Sequence, residues 1–357
     1  METLKRLDWP LIGAVSFLII AGSVVFASSA EELLGKQLTW IAIGSACAIG
    51  LTLLNLKSLI GYRWVILGVY GGGVLLLLAT QLFGTVINNS KSWILIGNYQ
   101  IQPSEFMKAA LIILFASFFA RRHIGIARMS HLLISFIYFA IPAALVFLEP
   151  DLGTTILLFG IWFSFLLVSE IPWRYLLIGL VILILVSTVY WNVGLADYQK
   201  ERVRGLFNPE YDPLGINYSV IQSKIAIGSA GFLGKGFEQG TQLQLGFLPA
   251  AQTDFVFASF VEEWGILGGM LVILAFLLII IRIVRIGMRS DNNFSRLFCL
   301  GSAALFTLQC TVNLGSTLGF LPVIGVSFPF LSYGGSNLLT NLALVGIIQN
   351  IAVRADV

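Results

Sequence analysis

A chain of 357 residues that is 57% apolar and only 11% charged carries more apolar surface than a water-soluble fold can hide, since soluble domains run at roughly 25% charged. A net charge of +3, scattered along the chain, offers no basic face for nucleic acid. No linker, low-complexity tract or shift in composition divides the sequence, so residues 1–357 read as one integral membrane domain.

Uncharged runs long enough to cross a bilayer recur along the chain. Lys5 and Arg6 precede the first, Leu11–Ala27, and Ala27-Ser-Ser-Ala30 mimics a signal cleavage site. The run is longer than a signal core and further spans follow it, so a retained first helix is expected. The next spans are Gln37–Leu56, Trp64–Phe83, Pro103–Ala120, Leu132–Leu148, Leu152–Ser169 and Tyr175–Ala196. Thr253–Ile281, Leu297–Leu314 and Leu331–Val353 complete the set. The expected fold class is all-α, a polytopic bundle of about ten transmembrane helices, with both termini on one side. Thirteen of the 21 Lys and Arg residues then fall on the side of the termini, which the positive-inside rule makes cytoplasmic. Most carboxylates fall on the opposite half, so acid–base chemistry is expected to face outward.

Between the seventh and eighth spans runs a long extracellular loop, roughly 193–252. Loops of this length are uncommon and usually functional. Its turn signals are Asn208-Pro209 and Asp212-Pro213, and a helix-like piece covers Ile216–Ile227.

Three polar blocks interrupt the apolar runs, and ionisable groups at membrane depth mark sites. Gln102-Pro-Ser-Glu105-Phe-Met-Lys108 opens the fourth span. Glu105 and Lys108, three residues apart, share a helix face, either as a structural ion pair or as part of a site. Glu149-Pro-Asp151 joins the fifth and sixth spans, where Asp151 is either a helix cap or a functional acid. Leu248–Phe257 leads into the eighth span, and Asp254 there is either a cap or a general base. Glu262 and Glu263 are expected about 12 Å deeper, at 1.5 Å per helical residue. His123 and His131 sit by Arg121 and Arg122 as interface residues. Cys47, Cys299 and Cys310 fit neither a disulfide framework nor a metal site and read as packing residues.

The run Asn313-Leu-Gly-Ser-Thr-Leu-Gly-Phe-Leu-Pro322 through Pro329-Phe-Leu-Ser332-Tyr-Gly-Gly-Ser-Asn337 resembles the signature of the SEDS peptidoglycan glycosyltransferases. The blocks around Glu105–Lys108, Pro150–Gly153 and Thr253–Phe257 match the same family. Asn208–Pro213, Gln222–Ser229 and Gly234–Gln242 resemble its RodA branch. Where the family usually carries Glu and His before the key aspartate, this chain has Ala250 and Gln252, while Asp254 is present.

The resemblance implies inverting polymerisation of lipid II into glycan strands at the outer face of a bacterial cytoplasmic membrane, for elongation and shape. An undecaprenyl-linked glycan is the growing product, and a class B penicillin-binding protein is the implied partner. Asp254 is then the catalytic base or a metal ligand. Lys108, held by Glu105, faces the pyrophosphate or a substrate anion, and Asp151 lines the same cavity. Ser92 and Trp93 are expected to contact sugar. A divalent cation is a candidate cofactor whose ligands the sequence leaves unknown. Two other readings stay open: a flippase of lipid-linked precursor, and a non-catalytic scaffold for cell-wall enzymes.

Overall fold

The computed structural model describes residues 6–56, 62–87, 90–97, 99–121, 129–169, 174, 181, 197–208, 212, 214–215 and 217–354. The expected seventh span, Tyr175–Ala196, lies outside the described residues except for position 181, as do His123 and Ile216.

The helices in chain order are α1 (Trp9–Ser29), α2 (Glu31–Leu53), α3 (Arg63–Phe83), α4 (Pro103–Ala120), α5 (Met129–Leu148) and α6 (Leu152–Val168). There follow α7 (Asp197–Phe207), α8 (Tyr218–Ser229), α9 (Thr241–Gln244), α10 (Val256–Arg289), α11 (Asn293–Thr317) and α12 (Gly335–Arg354). Among the described residues eight are long and apolar enough to cross a membrane, and α6, at 17 residues, is a shorter apolar helix. The polytopic helical bundle is therefore as expected, and α4 matches its expected span residue for residue.

Two features differ from expectation. A three-stranded antiparallel sheet, β1 (Thr85–Ile87), β2 (Ser90–Ile96) and β3 (Tyr99–Ile101), fills the connection between α3 and α4. β1 and β3, at three residues each, are too short for a period-2 pattern, and β2 ends in the unalternating Trp93-Ile-Leu-Ile96.

The second difference is in α10, which is not a straight helix. Gly265 has φ 74° and ψ 179°, a conformation essentially reserved for glycine. A Cβ on Gly269 would stand 3.4 Å from the Phe257 ring, yet 12 residues of straight helix would separate these positions by about 18 Å. Residues 256–264 thus fold back along the start of the 266–289 segment. Glu262 and Glu263 consequently do not lie a further 12 Å into the bundle, because the chain has reversed before a straight helix could carry them there.

Side-chain pairs fix the helix directions. Arg282 Nη2 lies 2.5 Å from Asp8 Oδ2 at the start of α1, and Ser28 at its end bonds Glu263, so α1 and α10 run antiparallel. Along α2 and α12, Gly335 meets Trp40 and Gly346 meets Ala48, so these two run parallel. Helix α4 is buried all round and packs on α3, α6, α11 and α12, as expected for a central helix apolar on every side. Starting beside the start of α12, it runs antiparallel to α11.

Candidate functional site

The long loop is pinned to α10 by the two glutamates. Glu262 accepts from Lys235 Nζ (2.7 Å), Thr241 Oγ1 (3.2 Å) and the backbone N–H groups of Gln242 (2.9 Å) and Leu243 (3.1 Å). Glu263 accepts from Ser28 Oγ and from the Glu238 N–H at 3.1 Å. Backbone bonds from Ile266 to Gly231 and from Leu267 to Phe232 close the Gly265 break. These carboxylates therefore fasten the loop that delivers Asp254.

Asp254 lies half-buried in the turn before α10. Phe255, one residue later, occupies the N-cap position, so Asp254 is not the cap that its spacing allowed. Its turn is held from behind by the 313–337 block. Asn313 Nδ2 donates to the Asp254 carbonyl at 2.9 Å, Ser332 Oγ to the Thr253 carbonyl at 2.6 Å, and the Tyr333 N–H to the Gln252 carbonyl at 2.8 Å. The backbone is clamped at three consecutive residues, which fixes where the Asp254 carboxylate stands.

A few residues further on, the same block holds the second candidate set. Ser336 Oγ accepts the Gln102 N–H at 2.9 Å, and Asn337 Nδ2 donates to Glu105 Oε2 at 2.9 Å. Pro103 at the first helical position and Glu105 in the first turn suit the start of α4. Glu105 Oε2 stands 2.7 Å from Lys108 Nζ, which is 1% exposed. The ammonium is ion-paired but makes no well-aligned hydrogen bond to a protein acceptor, so its donors are available to an anion. From Ser332 to Asn337 is five residues, at most about 18 Å of chain. The clamps on Asp254 and Glu105 are therefore close neighbours.

Asp151 is the N-cap of α6, accepting from the Thr154 N–H (2.9 Å) and Thr154 Oγ1 (2.7 Å), and also from Gln102 Nε2 (3.1 Å). Burial raises its pKa above the usual carboxylate range, against the lowering effect of the Thr154 bonds. Gly153 packs on the Ile324 carbonyl, which brings this corner to the signature loop.

Ser92 lies on β2, buried, with its hydroxyl against Ser90 and the Glu149 carbonyl, so it pins the sheet to the α5–α6 corner. Trp93 beside it is half-buried. Glu149 itself is 1% exposed with neither oxygen hydrogen-bonded. Burial, and secondarily the neighbouring Asp151 charge, push its pKa up to about 8. Spacing marks Glu149 only as a flank of Pro150, because solvation is not written in spacing. Nothing in the spacing singled out Asn313, Ser332 and Ser336 as the clamps either.

Among the described residues no group of three or more His, Cys, Asp or Glu side chains could hold a metal ion. With Ala250 and Gln252 in place of acid and imidazole, the Asp254 turn supplies too few donors to hold a cation by itself. His131 packs edge-on to Phe118 and takes no part in the site.

The profile of the FtsW, RodA and SpoVE cell cycle proteins matches residues 4–356. The peptidoglycan glycosyltransferase MrdB of Escherichia coli K12 is 34% identical over 348 residues, 96% of this chain and 92% of that one. A probable peptidoglycan glycosyltransferase FtsW of Synechocystis is 36% identical over 285 residues, 79% of this chain and 71% of that one. A chain from a peptidoglycan synthase complex that coordinates polymerization and crosslinking superposes with TM-score 0.82 at 33% identity, covering 97% of both chains. The Thermus thermophilus rod shape determining protein RodA superposes with TM-score 0.73 at 28% identity, covering 97% of this chain and 96% of its own.

Proposed function

Because the chain belongs to the FtsW, RodA and SpoVE family and is a peptidoglycan glycosyltransferase of cell-shape type, we propose that lipid II is its substrate and that Asp254 and Lys108 divide the chemistry. The acceptor 4-hydroxyl must lose a proton as it attacks the anomeric carbon of a sugar diphosphate. A single inversion needs one base, and Asp254 is the carboxylate whose backbone is clamped while its side chain remains at the turn. The leaving pyrophosphate needs positive charge in a water-poor site, and Lys108 is a buried ammonium with unspent donors. Glu105 holds Lys108, and Asp151, through Gln102, sets the start of α4. Ser92 places Trp93 at the rim, where it is available to a sugar face.

The observation that carries this reading is the shared clamp, in which one continuous block, 313–337, grips both the Asp254 turn and Glu105. The site end of the bundle, where α4 and α12 begin, is read as extracytoplasmic and both termini as cytoplasmic, from the distribution of basic residues. Lys108→Ala is expected to abolish glycan polymerisation from lipid II in detergent while the protein still purifies folded. Near-normal polymer from that variant would remove Lys108 from the mechanism. A detergent assay has no bilayer to flip across, so absence of polymer from wild-type protein, with partner and divalent cation supplied, would favour a transporter.

A further inference from the structure

Helix α11 carries two buried amides one turn apart, and only one of them has a known task. Asn313 holds the Asp254 carbonyl at 2.9 Å. Gln309, four residues earlier and fully buried, bonds to nothing in the protein through either its Nε2 or its Oε1. Buried polar atoms are nearly always hydrogen-bonded, and an unsatisfied one costs roughly 1–3 kcal/mol. An apolar residue would serve packing better there, so Gln309 has another reason to be an amide.

Its direction and depth follow from its neighbours. Thr307 and Thr311 are exposed, and Gln309 lies about 200° around the helix from each, facing the bundle centre. Gly301 packs against Ile112 of the antiparallel α4. Eight residues further along α11, Gln309 is therefore level with Ser104 and Glu105. Level with it on α12 is Asn337, and Asn341, one turn or about 6 Å deeper, opens a chain of bonds that ends on Lys108. Asn341 Nδ2 donates to Asn337 Oδ1 (2.8 Å), Asn337 Nδ2 donates to Glu105 Oε2 (2.9 Å), and Glu105 Oε2 lies 2.7 Å from Lys108 Nζ. The far end of this chain is Asn341 Oδ1, a buried acceptor with no protein donor. Gln309 Nε2 is a buried donor with no acceptor. The two needs are complementary.

We infer that Gln309 is a positioning residue for Lys108, acting on Asn341 directly or through one ordered water and thence along Asn337 and Glu105. Helix α11 then holds both halves of the site, the Asp254 turn through Asn313 and the Lys108 ammonium through Gln309. A rigid turn of helix fixes their separation as the sugar diphosphate arrives. The inference rests on the role given to Lys108 above.

The test is Gln309→Leu, with Gln309→Met as a second apolar replacement, Asn341→Leu, and the Gln309→Leu/Asn341→Leu double variant. Each is assayed for lipid II polymerisation and thermal unfolding in detergent. Removing one hydrogen bond is expected to lower the melting temperature by no more than about 4 °C. The expected result is kcat lowered about tenfold or more, from loss of preorganisation, with KM for lipid II changed less than about threefold. Residues acting as one chain are non-additive, so the double variant is expected to lose no more than the worse single. A kcat within twofold of wild type, or losses that multiply in the double variant, would overturn the inference. Failure of both Gln309 variants to fold would also overturn it, since the amide would then be a structural pin. An active Lys108→Ala refutes the site reading itself, whereas an inactive Lys108→Ala with an active Gln309→Leu refutes this inference alone.

Discussion

Asp254 and Glu149 show how two carboxylates at the same end of the bundle come to differ. Asp254 sits in a half-buried turn whose carbonyls at 252, 253 and 254 are each gripped from the signature block. Asn is nearly isosteric with Asp but cannot accept a proton, so Asp254→Asn is expected to fold normally and lose about 10²–10⁴-fold in polymerisation rate. Activity within a few-fold of wild type would return Asp254 to a structural role. Glu149 is the reverse case, buried without a partner and neutral at pH 7, with its pKa raised to about 8. The folded state therefore holds a proton that the unfolded chain releases near pH 4.5. Stability falls as pH rises from about 5 to about 8, because the native state binds more protons across that window. Glu149→Gln mimics the protonated acid, and melting curves recorded across that window should lose this part of their slope. An unchanged slope would mean that Glu149 is ionised when folded.

Among the elements, α10 departs furthest from its sequence pattern. Its pattern reads as one helix with no proline to break it, yet at Gly265 the chain reverses so that Glu262 and Glu263 can receive the long loop. A Cβ at Gly265 would stand 2.3 Å from the Phe232 carbonyl oxygen and 2.4 Å from the Gly234 nitrogen. Backbone cannot yield as a flexible side chain would, and the glycine-only dihedrals add about 1–3 kcal/mol. Gly265→Ala is therefore expected to unfold at markedly lower temperature than wild type, or to fail to accumulate. A melting temperature within a degree or two of wild type would mean that the fold-back does not depend on Gly265. The sheet over residues 85–101 does a quieter task, carrying Ser92 and Trp93 to the α5–α6 corner through Ser90 and the Glu149 carbonyl.

At the scale of the molecule, a central helix buried on all sides, α4, is ringed by spans whose outward residues are apolar. Trp264, Leu267, Leu271 and Leu274 of α10 are examples. Surface of that kind suits lipid or a partner's transmembrane helix. We expect co-purification in mild detergent with a single-span class B penicillin-binding protein, in keeping with the synthase complex that this chain resembles. Failure of the pair to co-purify would leave the polymerase to act alone.

For the described residues the sequence determined the spans, since a run of some 20 largely apolar residues has few alternatives to a membrane helix. It also located the three polar blocks, because charge at membrane depth stands out against an apolar background. Tertiary structure alone decided what those groups do. Glu105 and Lys108 pair as their spacing allowed, and Asp151 caps α6, both being contacts within a few residues along the chain. That Asp254 is gripped from Asn313 and Ser332, that Glu262 and Glu263 hold a loop, and that Asn337 reaches Glu105 are matters of contact between distant segments. Helical periodicity records which side of a helix is buried, but a hydrogen bond between segments leaves no period to read, and a single glycine can turn a helical run back on itself.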